Sequence, residues 1–377
     1  MARRRLFTPG PTEVPWQVRE KMSRPLIHHR TDEYRKIQGE TIEGLQWLMR
    51  TKNPVLLLTC SGTGAMEASL VNLTRPGDQV LVTVVGKFSN RWKEIAEAYG
   101  LDVVAVEARW GDPVSPRDVA AALDANPDVK IVFTTHAETS TGVLQDVKTM
   151  TQLAHKHGAL IVVDAITSLC AEEVETDAWG LDVVIGGAQK GVMIPPGLAF
   201  LTVSDAAREG MERAGHPVYY FDLVRALKSY EQGDTPWTPG IASVVGLHES
   251  LAMLKAEGLE NVKARHAANA RATRAAVQAL GLELLASAPA NCTTPVVFGE
   301  GRADTVRKHL NDVYGLRVAG GQAQLKGKIV RIGHLGHYFE ADMLMLMSAF
   351  ESTLKDLGMV DSVGRGVEAM FGEYHQK

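Results

Sequence analysis

Seven short apolar segments between residues 54 and 203 constrain the fold of this chain more than any other feature. They are rich in valine and isoleucine, and most do not alternate in polarity, which is typical of strands covered on both faces. Segments with helical patterns, such as AMEASLVNL and SNRWKEIAEAYG, lie between them. This rhythm predicts an α/β fold with a mostly parallel, seven-stranded sheet between helices. The seven segments are VLLLTC, QVLVTVV, DVVAV, VKIVFTT, LIVVDA, DVVIGG and LAFLTV.

The alternation of apolar strand-like segments with helical segments ends near residue 255. ENVKARHAANARATRAAVQALG predicts a long amphipathic helix with a basic polar face, and short apolar segments follow it, which favours a smaller C-terminal α+β domain. At the other end, the prolines of TPGPTEVP exclude a regular helix and predict an irregular arm. We therefore expect an N-terminal arm over 1–20, a large domain over 21–256 and a small domain over 257–377.

The composition limits the classes of partner. The net charge is -4, so no basic surplus favours nucleic acid, and no apolar run approaches the ~20 residues of a membrane span. The basic start MARRR precedes no apolar region, so a secretory signal is not expected, and the last residues do not form a peroxisomal address. The 3 cysteines are far apart and form no C-x-x-C pair. This pattern predicts a reducing, cytoplasmic location without disulfides or a zinc site.

Two ionisable side chains follow buried strands. Asp164 ends LIVVDA, and Lys190 comes directly after DVVIGGAQ in a loop rich in glycine and proline. Taken singly, Asp164 could cap a turn, and Lys190 could be a solvated loop lysine. Because ligands of parallel sheets bind at the carboxyl ends of the strands, the two side chains together predict a site there. A lysine amine that captures an aldehyde and a carboxylate that keeps a ring nitrogen protonated are the groups that pyridoxal phosphate chemistry needs.

A glycine-containing turn forms a second candidate site. Ser61-Gly62-Thr63-Gly64 lies between the segment VLLLTC and a helix, where backbone N–H groups and the helix dipole can bind an anion. An ordinary strand-to-helix turn capped by Ser61 or Thr63 fits equally well. The turn is neither a Walker A loop nor a G-x-G-x-x-G fingerprint, so both interpretations stay open at this point.

The remaining candidates are weaker. Arg331, in KIVRIGHLG, offers a fork of donors for a substrate carboxylate, but an isolated arginine more often forms a surface or interdomain ion pair. No pair of histidines has a third ligand in view, so we expect no metal site. Cys292 precedes an apolar strand-like segment and is expected to be a small buried thiol. The His28-His29-Arg30 run is assigned only to the rim of a site or a subunit contact.

The order of the motifs along the chain resembles that of the class V aminotransferases. The motifs are SGTGAMEASLVN, GKFSNRW, THAETSTGVLQ, VVDAITSL, GGAQKG, TPWTP and VRIGHLG. Within this family the chain is most similar to the alanine–glyoxylate and serine–glyoxylate (serine–pyruvate) group, and the resemblance runs from TPGPT to the small domain. It implies the type I pyridoxal phosphate-dependent transferase fold and a homodimer whose active sites are shared between subunits.

The resemblance also implies a role for each matching residue. Lys190 matches the Schiff-base lysine, and Asp164 matches the partner of the pyridine nitrogen. The other matching cofactor residues are Ser61, Gly62, Thr63 and Gln189 at the phosphate, Thr139 at the phenolic oxygen, Phe88 on the ring face, and Thr235 and Thr238 in TPWTP.

Three of these assignments are less direct. Trp92 is close enough to Phe88 in sequence to be the ring-stacking residue instead. Thr238 matches a phosphate contact from the other subunit, whereas Thr235 stands where some relatives carry tyrosine. For the substrate, Arg331 matches the carboxylate clamp and Gly10 matches the arm that lines the pocket.

The expected reaction is a ping-pong transfer of an amino group from alanine or serine to glyoxylate or pyruvate. One matched clamp without an evident second arginine favours small donors, although Arg30 could admit aspartate. A cysteine desulfurase-like lyase is an alternative that would need a mobile cysteine, for which only Cys292 is placed suitably. A phosphate-binding module that uses only the SGTG turn is the non-enzyme alternative.

Overall fold

The computed structural model describes residues 4–375, so the first three residues of the basic start and the last two residues lie outside the described range. The described chain alternates strands and helices over most of its length. Its strands are β1 (Arg5–Phe7), β2 (Val55–Leu58), β3 (Gln79–Val84), β4 (Asp102–Glu107), β5 (Ile131–Thr135), β6 (Ala137–Glu138), β7 (Val143–Leu144), β8 (Leu160–Asp164), β9 (Val183–Gly187), β10 (Ala199–Val203), β11 (Glu283–Leu284), β12 (Thr293–Val297), β13 (Leu316–Gly320) and β14 (Ile329–Gly333).

Helices connect these strands, and a 3-10 turn at Ala323–Leu325 lies between β13 and β14. The α-helices are α1 (Trp16–Met22), α2 (Asp32–Met49), α3 (Gly62–Val71), α4 (Lys87–Ala98), α5 (Pro116–Ala125), α6 (Val147–His157), α7 (Thr176–Trp179), α8 (Asp205–Met211), α9 (Leu223–Glu231), α10 (Ile241–Glu257), α11 (Leu259–Ala279), α12 (Arg302–Tyr314), α13 (Glu340–Asp356) and α14 (Arg365–His375). Among residues 4–375, no helix combines the length and the apolar character that a membrane crossing requires.

The large sheet confirms the prediction of seven strands. Its order is β2-β10-β9-β8-β5-β3-β4, and each of the seven apolar segments supplies one strand. All pairings are parallel except those of β10, which runs antiparallel to both neighbours. Consecutive residues of one strand enter different cores: Ile161 and Val163 pack on one face and Val162 on the other. Helices cover both faces, which explains why the strands lack polar alternation.

A smaller sheet contains the strands of the C-terminal third. Its order is β1-β13-β14-β12-β11, and α11 to α14 bury its apolar side chains in a separate core. Helix α11 matches the long amphipathic helix predicted from the sequence. The structure thus has the smaller α+β part that was expected.

The prediction of a wholly irregular N-terminal arm is wrong at two places. Arg5–Phe7 form β1, which pairs in parallel with β13, because these residues precede the prolines and keep their N–H groups. Helix α1 begins at Trp16, directly after Pro15. A proline at a helix start is tolerated, since the first N–H groups have no acceptor within the helix.

Candidate active site

A cavity lies at the carboxyl edge of the large sheet. The turns after β2, β3, β5, β8 and β9 all reach this edge, as the parallel topology requires. Eight residues singled out from the sequence line the cavity together. They are Ser61, Gly62, Thr63, Phe88, Thr139, Asp164, Gln189 and Lys190.

Lys190 is almost fully buried, with 9% of its surface exposed. Its Nζ donates a hydrogen bond to the carbonyl oxygen of Pro9 at 2.8 Å. Burial lowers the pKa of this amine to about 8, and the nearby Arg331 acts in the same direction. A much larger fraction of the side chain is therefore neutral near pH 7 than in a solvated lysine, as a nucleophile requires.

The N-terminal segment closes over this lysine. Thr12 donates from its backbone N to the carbonyl oxygen of Gln189 at 3.1 Å and from its hydroxyl to the carbonyl oxygen of Lys190 at 3.0 Å. Gly10 has a φ of 133°, and a Cβ at this position would lie 2.6 Å from Cδ and Cε of Lys190. Glycine is required here both by the backbone conformation and by the close approach to the amine.

Asp164 ends β8 and is also buried. Its Oδ1 accepts from the backbone N of Ile166 at 2.9 Å, and Thr135 Oγ1 lies 3.5 Å from Oδ2. Burial raises the pKa of the carboxyl to about 6, partly offset by the Ile166 hydrogen bond and by the charges of Lys190 and Arg91. The side chain therefore caps the following turn, as one interpretation predicted, and also faces the cavity.

The SGTG turn opens helix α3 towards the cavity. Ser61 occupies the N-cap position, but its side chain makes no capping hydrogen bond. Within the described residues, the backbone N–H groups of Gly62 and Thr63 have no acceptor either. A Cβ at Gly62 would displace the end of the Ile166 side chain, which also lines the cavity. Free donors at a helix N-terminus favour an anion, so the structure supports the anion-binding interpretation.

Phe88 and Trp92 lie in different environments. Phe88 lines the cavity, and its ring centroid is 5.9 Å from Lys190 Nζ. Trp92 is fully buried in the core, where it packs on Phe133 at a centroid distance of 4.7 Å. Of the two aromatic candidates, only Phe88 is placed to contact a molecule in the cavity.

Arg331 approaches the site from the small sheet. Its Nε donates to the carbonyl oxygen of Gly320 and its Nη1 to that of Thr139, each at 2.8 Å. Burial lowers the pKa of this guanidinium to about 10. Arg331 forms no ion pair within the described range, so the expectation for an isolated arginine does not hold here. The other guanidinium donors have no partner within the described residues, and Arg331 contacts the cavity-lining Thr139 without lining the cavity itself.

The TPWTP segment lies away from this cavity. Thr235 and Thr238 line a separate depression beside Tyr220, and the Thr235 hydroxyl is buried without a hydrogen-bond partner among residues 4–375. Arg30 forms an ion pair with Asp234 and donates to the carbonyl oxygen of Thr235 at 3.3 Å. The basic end of His28-His29-Arg30 therefore contacts the start of this segment.

The expectation that Cys292 is a small buried thiol agrees with the structure. Cys292 is fully buried directly before β12, and burial raises the pKa of its thiol to about 12. His155 lies in the last turn of α6 and pairs with Asp182 at 2.9 Å. No group of three or more His, Cys, Asp or Glu side chains between residues 4 and 375 could hold a metal ion.

Sequence reasoning missed several residues of the site. In the N-terminal segment, Pro9 accepts a hydrogen bond from the Lys190 amine and Thr12 donates one to the Lys190 carbonyl oxygen. No local sequence pattern predicts such long-range contacts. Glu138 is buried and accepts hydrogen bonds from Phe88 N at 3.0 Å and Ser89 N at 2.7 Å, which fixes the start of α4. Arg91 also lines the cavity. Its spacing of three residues from Phe88 on one helix was the available signal.

Comparison with known proteins identifies relatives along nearly the whole chain. The family model described as Aminotransferase class-V matches residues 6–341. The soluble hydrogenase 42 kDa subunit of Anabaena cylindrica is 43% identical over 97% of both chains. An L-aspartate–glyoxylate aminotransferase of Paracoccus denitrificans is 36% identical over 98% of this chain and 96% of its own. A serine–glyoxylate aminotransferase of Methylorubrum extorquens is 36% identical over 97% and 95%, respectively.

A solved structure has the same architecture. The ureidoglycine–glyoxylate aminotransferase of Bacillus subtilis superposes with a TM-score of 0.92 and 30% identity over 100% of this chain and 99% of its own. The seven-stranded sheet and the smaller sheet therefore belong to an aminotransferase fold.

Proposed function

Because the chain belongs to the class V aminotransferase family, whose members use pyridoxal phosphate, we propose that it transfers an amino group from alanine or serine to glyoxylate or pyruvate. The observation that carries this proposal is the buried Lys190 amine in one cavity with Asp164, Phe88 and the open N-terminus of α3.

The cavity residues fit the cofactor on the evidence of their own contacts. The free N–H groups of Gly62 and Thr63 suit a phosphate, and Gln189, whose side-chain NH2 is a donor, lines the same cavity. Ser61 adds a hydroxyl at the same turn. These residues would hold the phosphate, while Phe88 would contact the ring face and Thr139 a ring substituent.

The bound cofactor would take up the amino group at its aldehyde and withdraw electrons from the substrate Cα through its ring. Lys190 Nζ would attach the cofactor and, once released, take the proton from the substrate Cα. Its lowered pKa leaves a lone pair available for that transfer near neutral pH. Asp164 would stabilise a proton on the ring nitrogen, because an ionised carboxylate at that depth needs a cationic partner.

Arg331 would orient the substrate carboxylate. Two backbone carbonyls fix its guanidinium, so its free donors occupy a defined position before substrate arrives. Both substrates carry one carboxylate next to the reacting carbon. One clamp therefore serves the donor and the acceptor in turn, which supports a ping-pong order in which the first oxo acid leaves before the second binds.

Small donors are favoured because the other arginine candidate is already paired. The charge of Arg30 is compensated by its ion pair with Asp234 at the TPWTP segment, so it offers no free cation to a second substrate carboxylate. One relative is named for aspartate as the amino donor and another for serine, so the donor is the part of the reaction that differs most among these relatives. An aspartate-specific enzyme is the second candidate, on the ground of the Paracoccus relative.

We further propose a homodimer in which Thr235 and Thr238 complete the partner subunit's phosphate site. The unpartnered hydroxyl of Thr235 and its distance from the described cavity support this arrangement. The expected division into an arm over 1–20, a large domain over 21–256 and a small domain over 257–377 is retained as part of the proposal.

Two measurements test the function. Borohydride reduction of the cofactor-loaded protein, followed by digestion and mass spectrometry, should place the cofactor on the peptide that contains Lys190, and Lys190→Ala should lose the adduct and turnover. Lys93→Ala, which changes an ion-paired lysine of α4, is the matched control. A panel of alanine, serine and aspartate with glyoxylate and pyruvate should give turnover with the small donors.

Label on another lysine would refute the assignment, and preference for aspartate would replace alanine and serine as donors. If the protein bound phosphate but captured no aldehyde, it would be the phosphate-binding module that was the non-enzyme alternative. Sulfide release from cysteine would indicate a lyase, but the complete burial of Cys292 argues against a mobile nucleophile.

A further inference from the structure

Arg91 is a cavity residue to which neither the motifs nor the proposed reaction assigns a role. It lies in the second turn of α4 and lines the cavity with the SGTG turn and Lys190. Its Nη1 donates a hydrogen bond to Thr63 Oγ1 at 3.0 Å. Its guanidinium carbon lies 4.9 Å from the Phe88 ring centroid. The side chain therefore contacts both the anion-binding turn and the aromatic residue of the site.

Arg91 forms no ion pair with an acidic side chain in the described range. Its one side-chain hydrogen bond goes to a neutral hydroxyl, and its charge acts on the buried Asp164 without direct contact, partly offsetting the raised pKa of that carboxyl. Among the residues that line the cavity, the cations are Arg91 and Lys190, and the acid is Asp164. Since Lys190 is needed at the aldehyde, Arg91 is the lining cation that remains for an anion.

A phosphate monoester carries a charge of about -1.5 to -2 near pH 7. The other donors at the turn are neutral: two backbone N–H groups, hydroxyls and an amide. Burying a multiply charged group among neutral donors is costly unless a cation lies close by. A guanidinium can also pair with phosphate oxygens through two parallel hydrogen bonds.

The hydrogen bond from Arg91 also orients the Thr63 hydroxyl. Because Oγ1 accepts from Arg91, its own proton is directed to another acceptor. Glu138 holds the first turn of α4 through Phe88 N and Ser89 N, so Arg91 is presented from a fixed helix. We propose that Arg91 is a phosphate-binding residue of the cofactor site, acting directly through its guanidinium and through the Thr63 hydroxyl. This inference rests on the proposed function.

Binding of two probes to the full-length protein after removal of its cofactor tests the proposal. Pyridoxal phosphate and pyridoxal differ only in the phosphate, so their dissociation constants, followed by tryptophan fluorescence, isolate its contribution. Arg91→Met should raise the constant for pyridoxal phosphate roughly ten- to hundredfold and leave that for pyridoxal nearly unchanged. Arg91→Lys should fall between the parent and Arg91→Met, since it keeps the charge without the fork.

Inorganic phosphate gives a second readout. It should compete with pyridoxal phosphate in the parent and compete much less in Arg91→Met. Lys93→Met on the same helix, whose ammonium pairs with Glu107 at 3.5 Å, should bind both probes as the parent does. Circular dichroism checks that each variant is folded.

Two results would overturn the role of Arg91 without touching the proposed function. One is an unchanged affinity of Arg91→Met for pyridoxal phosphate while the parent is labelled at Lys190. The other is an equal loss for both probes, which would show that Arg91 only supports Phe88. If the parent itself captured neither aldehyde, the proposed function would fail first.

Discussion

Lys190 Nζ and the carbonyl oxygen of Pro9 are joined by a hydrogen bond of 2.8 Å between two segments far apart in sequence. The N-terminal segment therefore covers and orients the amine at the end of the large sheet. The Lys190 amine therefore has a lower pKa than the amine of a surface lysine and is less accessible to solvent.

The pH dependence of aldehyde capture should report this environment. Burial lowers the pKa of Lys190 to about 8, so its neutral fraction, and the rate of capture of pyridoxal, should rise about tenfold per pH unit below that value and level off above it. A solvated lysine would still be gaining reactivity at pH about 10. Stopped-flow absorbance measures the rate, and a profile that climbs without a plateau up to pH 10 would contradict the burial argument.

Replacing Gly10 should disturb the amine without unfolding the protein. In Gly10→Ala, the new Cβ would lie 2.6 Å from Lys190 Cδ and Cε in a backbone region that disfavours alanine. Capture of pyridoxal phosphate should slow by at least about tenfold, in line with strain of a few kcal/mol.

Gly39→Ala is the matched control for that change. Gly39 lies inside α2, and its added Cβ would meet no atom within 4 Å. It should leave capture unchanged and raise the free energy of unfolding by about 0.5–1 kcal/mol. Equal effects of the two variants on capture would remove the specific role of Gly10.

Arg331→Ala should act mainly on substrate binding. The variant loses the cation held by Gly320 O and Thr139 O, so KM for alanine or serine should rise roughly 10- to 100-fold, with a smaller change in kcat. Steady-state kinetics with donor and acceptor varied separately measure both constants. Arg109→Ala, which removes an exposed ion pair with Asp112 at 2.8 Å, should leave KM for these donors as in the parent. A parent-like KM in Arg331→Ala would show that the carboxylate binds elsewhere.

Glu172 should make stability depend on pH. This buried carboxyl accepts hydrogen bonds from Asn291 N and Nδ2, yet burial raises its pKa to about 7. The folded state therefore binds more protons than the unfolded state between pH about 4.3 and about 7, and stability falls as pH rises through that window. Glu172→Gln removes the buried charge and should raise the free energy of unfolding by about 1–3 kcal/mol at pH 8, with little gain at pH 4.

Urea unfolding at the two pH values measures the effect of Glu172→Gln. Glu173→Gln is the control, because this exposed neighbour pairs with Lys263 at 2.6 Å and has its pKa lowered by that contact. The control should lose at most about 1 kcal/mol at pH 8. A loss of stability in Glu172→Gln at pH 8 would mean that the hydrogen bonds to Asn291 outweigh the cost of burial.

Burial patterns made the large sheet predictable. Strands covered on both faces must be apolar throughout, so all seven could be read from local sequence, and Asp164 and Lys190 were then placed by the rule for strand ends. The pairing of β1 with β13 and the contact of Pro9 with Lys190 could not be read in this way, because no local preference specifies a partner hundreds of residues away.

The position of Arg91 in the cavity could not be predicted from the sequence for a different reason. Its three-residue spacing from Phe88 was a weak signal, because an arginine on an amphipathic helix is ordinarily solvated. The position of the SGTG turn is needed to show that this arginine faces the cavity. Thr235 and Thr238 lie apart from the cavity of their own chain, so a single sequence gives no physical criterion for their role. Phe88 could be separated from Trp92 only after the core was seen, since both lie on α4.

The parallel pairing of Arg5–Phe7 with Leu316–Val318 sets an order of events during synthesis. The first strand emerges from the ribosome long before its neighbour exists, and closing so long a loop gains nothing until that neighbour has been translated. The last strand of the large sheet ends at Val203, so that sheet is fully translated much earlier. The smaller sheet, and with it the anchoring of the N-terminal strand, is completed only when nearly the whole polypeptide has been made.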